Sequence, residues 1–124
     1  MMEIISVAVG GALGAVCRYL LGNFISRASG SALPWGTFAI NIIGCFCMGL
    51  LMTLIVERGL LPAPWRLFLC VGLLGGFTTF SSFGYESLML LTEGNIAAAA
   101  AYSGGSLLLG LLAAGAGVLA GKGV

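Results

Sequence analysis

A row of hydroxyl side chains follows a glycine pair in the middle of a long apolar stretch. Gly75 and Gly76 precede the sequence Phe-Thr-Thr-Phe-Ser-Ser-Phe at residues 77–83. Each glycine weakens a helix by about 1 kcal/mol relative to alanine, and the hydroxyls can hydrogen-bond backbone groups that an interruption frees. If the helix is broken here, the freed carbonyl oxygens can bind a hard cation such as Na⁺. The alternative is a helix that is only kinked for packing and binds no ion. The pattern favours a broken helix near Gly75–Thr79.

Four further polar side chains interrupt apolar segments, namely Arg18, Asn41, Glu86 and Tyr102. A charged group at membrane depth needs a partner or water, so Arg18 and Glu86 either serve a function or lie close to the interface. The amide of Asn41 can donate to an ion or bond a neighbouring helix. Because donors outnumber carboxylates in this inventory, a conduction path lined by them suits a small anion.

The two phenylalanines of the hydroxyl row, Phe80 and Phe83, are three residues apart and therefore share a helix face. The edge of a phenyl ring is electropositive, so the edges of two rings can contact a small anion while excluding water. Packing in the core or against lipid is the ordinary role of such a pair. Its position beside Ser81 and Ser82 favours a contact with an anion.

The composition leaves the bilayer as the only suitable solvent. Of the 124 residues, 60% are hydrophobic and 7% are charged, whereas soluble domains carry about 25% charged residues. The chain contains no histidine and no paired nucleophile and base, which argues against an enzyme. A net charge of +1 predicts no nucleic-acid partner.

Four apolar segments are each long enough to cross a bilayer, which takes about 20 residues. We therefore predict an all-α membrane protein, a single integral membrane domain with spans at about 4–25, 35–56, 65–91 and 96–120. Gly-x-x-x-Gly pairs allow close helix packing, either within one bundle or between subunits. Since so small a chain cannot comfortably enclose a pore alone, we expect at least a dimer.

The basic residues give only a weak signal for orientation. The side of both termini carries Arg58, Arg66 and Lys122. The opposite side carries Arg27, with Arg18 further into the first span. This small excess slightly favours cytoplasmic termini. A single orientation and insertion in both orientations therefore both remain open.

Three patches of the sequence resemble the Fluc (CrcB) family of fluoride channels. The first is Gly-Gly-Ala-Leu-Gly-Ala followed by Arg-Tyr, within residues 10–19. The others are Gly-Thr-Phe-Ala-Ile-Asn-Ile-Ile-Gly at residues 36–44 and Gly-Gly-Phe-Thr-Thr-Phe-Ser-Ser-Phe at residues 75–83. The last patch is highly specific, and with Glu86 and Tyr102 the resemblance covers essentially the whole chain.

The resemblance implies an antiparallel, dual-topology homodimer with two fluoride pathways, each formed by both subunits. It implies a structural Na⁺ at the dimer centre, bound by the backbone carbonyls of Gly75 and Thr78. It also implies that Arg18 lies towards a pore vestibule. The residues that it assigns to the fluoride pathway are Asn41, Phe80, Ser81, Ser82, Phe83, Glu86 and Tyr102. At Ser82 the family more often has threonine, so a hydroxyl is retained.

The function that the resemblance implies is passive export. Fluoride enters from acidic surroundings as HF, ionises inside the cell and leaves through a fluoride-selective channel down its electrochemical gradient. The expected location is a bacterial-type inner (plasma) membrane, which each subunit crosses several times. Two other classes remain open. One is a small multidrug-type proton antiporter, which has its membrane glutamate in the first span, and the other is a subunit without transport of its own.

Overall fold

The computed structural model describes residues 1–124, which fold into helices joined by short turns. The five helices are α1 (Met2–Ser29), α2 (Trp35–Glu57), α3 (residues 66–77), α4 (Phe80–Thr92) and α5 (Ile96–Gly123). α2 ends in a π-helical turn at Thr53–Glu57, and most of α3 is π-helical, at Arg66–Leu74. α3 and α4 together form the third span.

Four helical stretches are long and apolar enough to cross a membrane, which confirms the predicted number of spans. The first and last helices continue past the predicted ends at residues 25 and 120, to Ser29 and Gly123. The turns that join spans at one end of the bundle begin at Gly30 and Gly94, with φ of 59° and 79°. Glycine adopts this left-handed conformation without strain, so it can end each helix sharply.

The helices pack side by side in the order α3, α1, α2, α5, α4. α1 lies between α3 and α2, and α5 packs along α2 and against α4. The two halves of the third span therefore have different main partners, because α3 packs on α1 while α4 packs on α5. The break between them lets the halves diverge towards opposite sides of the bundle.

Glycine allows α1 and α3 to approach closely. Gly10 and Gly14 of α1 face Gly72 and Gly76 of α3, and a Cβ atom at any of the four would meet backbone atoms of the other helix. On the other side of the bundle, Gly117 of α5 lies in the same way against the backbone of α2. These Gly-x-x-x-Gly pairs therefore pack helices within one subunit, which decides between the two alternatives that the sequence left open.

Few residues are buried within the bundle, 18 of the 124, and half of these are glycines. Two small cores consist of Ile40, Leu74 and Phe77, and of Leu90, Ala99 and Tyr102. Most other apolar side chains face outward, as expected for helices surrounded by lipid rather than water. Both cores border α3 or α4, so the packing that exists supports the interrupted span.

Candidate functional site

The third span is interrupted at Thr78 and Thr79, whose backbone is extended. The Thr78 hydroxyl donates to the Leu74 carbonyl at 2.9 Å, at the end of α3. The Thr79 hydroxyl accepts from the Ser82 N–H at 3.2 Å and caps the start of α4. The hydroxyls thus satisfy backbone groups around the interruption, which is the role that their position predicted.

The glycine pair lies just before the interruption and remains helical, within Gly75–Phe77. Neither glycine has a positive φ. Gly76 packs against α1, where a Cβ atom would lie 2.5 Å from the Gly11 carbonyl oxygen, while Gly75 is exposed on the subunit surface. The glycines therefore allow close packing and backbone exposure, and the break itself falls on the two threonines that follow.

Asn41 joins α2 to the break through two hydrogen bonds with a single residue. Its Nδ2 donates to the Thr79 carbonyl at 3.0 Å, and its Oδ1 accepts from the Thr79 N–H at 2.9 Å. This is the interhelical bonding that the sequence allowed for an amide at this depth. It uses one of the two amide N–H groups, so the second is available to a ligand.

Arg18 contacts the opposite flank of the break. Its Nε–H donates to the Gly76 carbonyl at 3.0 Å, so the side chain turns to the end of α3 rather than to the membrane surface. The same side chain lines a cleft of about 230 Å³. The polar residues of this arginine cleft are Arg18, Asn23, Ser26, Thr37, Thr79 and Ser82. The side chain predicted to lie at a vestibule therefore borders a polar cavity.

A second cavity, of about 360 Å³, adjoins the arginine cleft at the break because Thr79 lines both. We call it the phenylalanine cavity, and its lining includes Asn41, Thr78, Thr79, Phe80, Phe83 and Ser106. The pairing of Asn41 with Thr79 therefore lies where the two cavities meet. Side chains from α2, α4 and α5 converge on this second cavity.

The phenylalanines form a row of rings with Tyr102. The ring centroids of Phe80 and Phe83 are 5.8 Å apart, and those of Phe83 and Tyr102 are 5.3 Å apart. This confirms that Phe80 and Phe83 share a face of the helix. Phe80 is 83% exposed, whereas Phe83 is half-buried, so the phenylalanine cavity is open on the side of Phe80.

Three buried side-chain oxygens near these rings have no hydrogen-bond partner: Glu86 Oε1, Tyr102 Oη and Ser106 Oγ. Glu86 and Tyr102 lie beside each other and beside Thr37. Glu86 therefore faces the other helices of the bundle, next to the first turn of α2. A buried polar group without a partner costs about 1–3 kcal/mol, so a hydrogen-bonding ligand at these oxygens would be stabilising.

Four of the seven predicted pathway residues line the two cavities, whereas Ser81, Glu86 and Tyr102 line neither. Ser82 lines the arginine cleft, and Asn41, Phe80 and Phe83 line the phenylalanine cavity. Ser81, the neighbour of Ser82, is exposed and lines neither. Adjacent residues on a helix point about 100° apart, which is why one hydroxyl of the pair enters the cleft and the other does not.

Among the polar residues at these cavities, Ser106 and Thr37 were assigned no role in the pathway from the sequence. Ser106 lines the phenylalanine cavity, and Thr37 lines the arginine cleft. The available signal is their spacing, because Ser106 is four residues after Tyr102 and Thr37 is four before Asn41. Residues four apart lie on the same face of a helix, so each accompanies a polar residue that was identified.

The break leaves three main-chain carbonyls without a donor. The Gly76 and Thr79 carbonyls accept hydrogen bonds from side chains of α1 and α2, whereas no group donates to the carbonyls of Gly75, Phe77 and Thr78. The chain has no cluster of three or more His, Cys, Asp or Glu side chains that could hold a metal ion. A cation at the break would therefore be bound by backbone oxygens, which suit a hard ion such as Na⁺.

A helix interrupted within an apolar span, with a polar cleft and a largely apolar cavity meeting at the interruption, is typical of a membrane protein that binds or conducts ions. Residues 5–118 match the family described as CrcB-like protein, Camphor Resistance (CrcB). The chain belongs to this family, which confirms the resemblance identified in its sequence.

Relatives in this family carry the name fluoride-specific ion channel FluC. The protein from Chloroflexus aurantiacus is 50% identical over 122 residues, which are 98% of this chain and 97% of the relative. Proteins from Acidobacterium capsulatum and Agrobacterium fabrum are each 44% identical over 98% of this chain, and over 97% and 98% of their own lengths. The family and these names indicate a multi-pass ion channel and not an enzyme.

Proposed function

We propose that this chain is a fluoride-selective channel through which cytoplasmic fluoride leaves passively across the inner (plasma) membrane of a bacterial-type cell. The observation that carries the proposal is that the polar arginine cleft and the largely apolar phenylalanine cavity adjoin at Thr79, where Asn41 supplies a donor. They occur in a chain that is 50% identical to a protein named as a fluoride channel. Hydroxyl, amide and guanidinium donors favour an anion, whereas a cation path is typically lined by carboxylates.

Each cavity offers fluoride a different kind of contact. Fluoride is small and strongly hydrated, so donors must replace its water along the path. In the arginine cleft, Arg18 supplies positive charge and Ser82 a hydroxyl. At the break, Asn41 has a free N–H, and beyond it the rings of Phe80 and Phe83 offer their electropositive edges. No bond is made or broken, so the gradient alone drives the flux.

The unpartnered oxygens form the polar side of this route. Ser106 and Tyr102 carry hydroxyls that can donate to an anion or hold a bridging water. Glu86 is the carboxyl group among them and lies next to Tyr102. Each hydroxyl has a single proton, so in this proposal the Ser106 hydroxyl donates to fluoride while the Tyr102 hydroxyl, on the wall of the route, donates to Glu86.

The proposed channel is an antiparallel homodimer with two pathways, each formed by both subunits. The phenylalanine cavity is open on one side, where Phe80 is 83% exposed and Ser81 also faces outward. A large exposed aromatic side chain beside a functional cavity suits burial against a partner. The weak excess of basic residues on the side of the termini suits insertion in both orientations.

A structural Na⁺ at the dimer centre, held by the carbonyls of Gly75 and Thr78, fits the residues present. Both carbonyls lack a donor, and Gly75 is exposed where a second copy could approach. The ion would supply the positive charge that balances carbonyl dipoles freed by the break. The chain has no cluster of acidic side chains that could bind the ion instead.

Reconstitution tests the proposed function directly. The purified protein is placed in liposomes loaded with potassium fluoride, valinomycin balances the charge, and a fluoride electrode follows efflux. We expect fast fluoride efflux and no efflux of chloride from a matched chloride-loaded set. Folded protein that passes no fluoride would refute the channel. Proton-coupled transport of organic cations would instead identify the antiporter class.

Replacing Phe83 by isoleucine is expected to slow fluoride efflux by about tenfold, because the ring edge contributes about 1.4 kcal/mol that an aliphatic chain cannot provide. Phe80→Ile is expected to slow efflux as well. The measurement is the same electrode assay, with size-exclusion chromatography to show that assembly is intact. Phe24→Ile is the matched control for Phe80→Ile, since Phe24 is also largely exposed but lines neither cavity. Unchanged efflux in both variants would exclude the role assigned to the ring edges.

A further inference from the structure

Arg18 supplies a hydrogen bond that the break removes from α3. In an uninterrupted α-helix the Gly76 carbonyl would accept from the N–H four residues later, that of Phe80. Phe80 instead begins α4, beyond two extended residues. The Nε–H of Arg18 donates to the Gly76 carbonyl at 3.0 Å, although the two residues are 58 apart in sequence. A side chain of α1 therefore replaces a main-chain donor of the third span.

On the other flank of the break, Asn41 replaces a main-chain acceptor. The Thr79 N–H would donate to the Gly75 carbonyl in a continuous helix. In the structure it donates to Asn41 Oδ1 at 2.9 Å. Arg18 thus satisfies the Gly76 carbonyl and Asn41 satisfies the Thr79 N–H, two groups that the break deprives of their helical partners. The carbonyl of Gly75 has no donor.

The Nε–H of Arg18 and the rest of its guanidinium group have different surroundings. Its Nε bonds the Gly76 carbonyl, and the other two guanidinium nitrogens make no hydrogen bond within the protein. The side chain also lines the arginine cleft with Thr37 and Ser82. The positive charge can therefore act on an anion in the cleft while the Nε–H acts on the backbone.

We propose that Arg18 is a positioning residue for the broken helix, whose Nε–H holds the end of α3 in place and thereby fixes the direction of the free carbonyl of Gly75. Loss of this bond leaves the Gly76 carbonyl without a partner, and α3 can turn to find one. The carbonyl at Gly75 then loses its orientation. Only the part concerning a cation at that carbonyl rests on the proposed function.

Two substitutions separate the hydrogen bond from the charge. Glutamine carries its amide nitrogen on Cδ, as arginine carries Nε, so Arg18→Gln keeps a donor at this position and removes the charge. Lysine has a methylene group there and carries its donors one atom further out, so Arg18→Lys keeps the charge and removes the donor from the position that faces the Gly76 carbonyl. A positioning role requires the donor, whereas a purely electrostatic role requires the charge.

The first measurement is hydrogen–deuterium exchange of peptides covering residues 75–83, with the full-length protein in lipid nanodiscs. We expect exchange about tenfold faster in Arg18→Lys than in the wild type, and wild-type exchange in Arg18→Gln. Peptides from residues 107–123 serve as an internal control and should not change. Slow exchange in Arg18→Lys, or equally fast exchange in both variants, would overturn the proposal, as would loss of folding in both.

The second measurement is the Na⁺ concentration that half-maximally raises the melting temperature of the purified protein. We expect this midpoint to rise about tenfold in Arg18→Lys and to stay at the wild-type value in Arg18→Gln. An unchanged midpoint in Arg18→Lys would contradict the positioning of Gly75. If Na⁺ does not stabilise the wild type, the proposed cation site fails, and if the wild type passes no fluoride, the proposed channel fails. In either case the exchange comparison still decides the role of Arg18.

Discussion

Asn41→Asp is expected to lower fluoride efflux by about 100-fold, the largest effect on flux of any single substitution that we predict. The substitution removes the Nδ2–H that donates to the Thr79 carbonyl and places a carboxylate oxygen against that carbonyl. An unsatisfied carbonyl and a negative charge beside an anion path together correspond to about 3 kcal/mol, or a hundredfold in rate. The loss is measured by electrode-recorded efflux from liposomes at equal protein density.

The control for this variant is Asn95→Asp. Asn95 caps α5 outside the apolar segments by accepting from the Ala98 N–H, and aspartate performs this role equally well. It adds the same charge at a distance from both cavities, so efflux should remain at the wild-type rate. Normal efflux from Asn41→Asp, with the protein folded, would remove Asn41 and its pairing with Thr79 from the conduction path.

Gly14→Ala is expected to cost about 3 kcal/mol of stability and to reduce the yield of folded protein severely. A Cβ atom at this position would overlap the Leu73 carbonyl oxygen and lie 2.9 Å from the Phe77 nitrogen. Both are backbone atoms of α3 and cannot move aside as a flexible side chain could. α1 would have to separate from α3, which would also withdraw Arg18 from the break.

The same substitution at Gly104 provides the control. An added Cβ there meets no atom within 4 Å, so Gly104→Ala should leave stability unchanged or raise it slightly through better helix propensity. Thermal unfolding in detergent, followed by size-exclusion chromatography, measures both variants. Equal melting temperatures for Gly14→Ala and the wild type would show that α1 and α3 are not packed through this glycine.

The sequence located the break closely but explained it incompletely. Hydroxyl residues after a glycine pair predicted an interruption near Gly75–Thr79, and the extended residues are Thr78 and Thr79. The glycines were expected to weaken the helix there, yet they remain helical and Gly76 instead admits the backbone of α1. Glycine has the same low helix propensity whether it breaks a helix or packs one, so its role depends on the neighbouring helix.

The sequence likewise identified most residues of the candidate site but not how they are arranged. The sequence named Asn41, Phe80 and Phe83, which line one cavity. It could not distinguish Ser81 from Ser82, because both carry the same hydroxyl and only the rotation of α4 turns one of them into the arginine cleft. Ser106 was passed over because a lone serine in an apolar helix looks the same whether it faces lipid or a cavity.

By itself the sequence determined the number of spans, the near absence of charge and the kinds of polar group available at membrane depth. These properties depend on residue type and on hydrophobic length, both of which are local. Only the tertiary structure decided which polar groups meet. Arg18 reaches a carbonyl 58 residues away, and Asn41 pairs with a residue 38 away. Such contacts depend on how helices rotate and cross and on where a break redirects one of them, and hydropathy does not encode these relations.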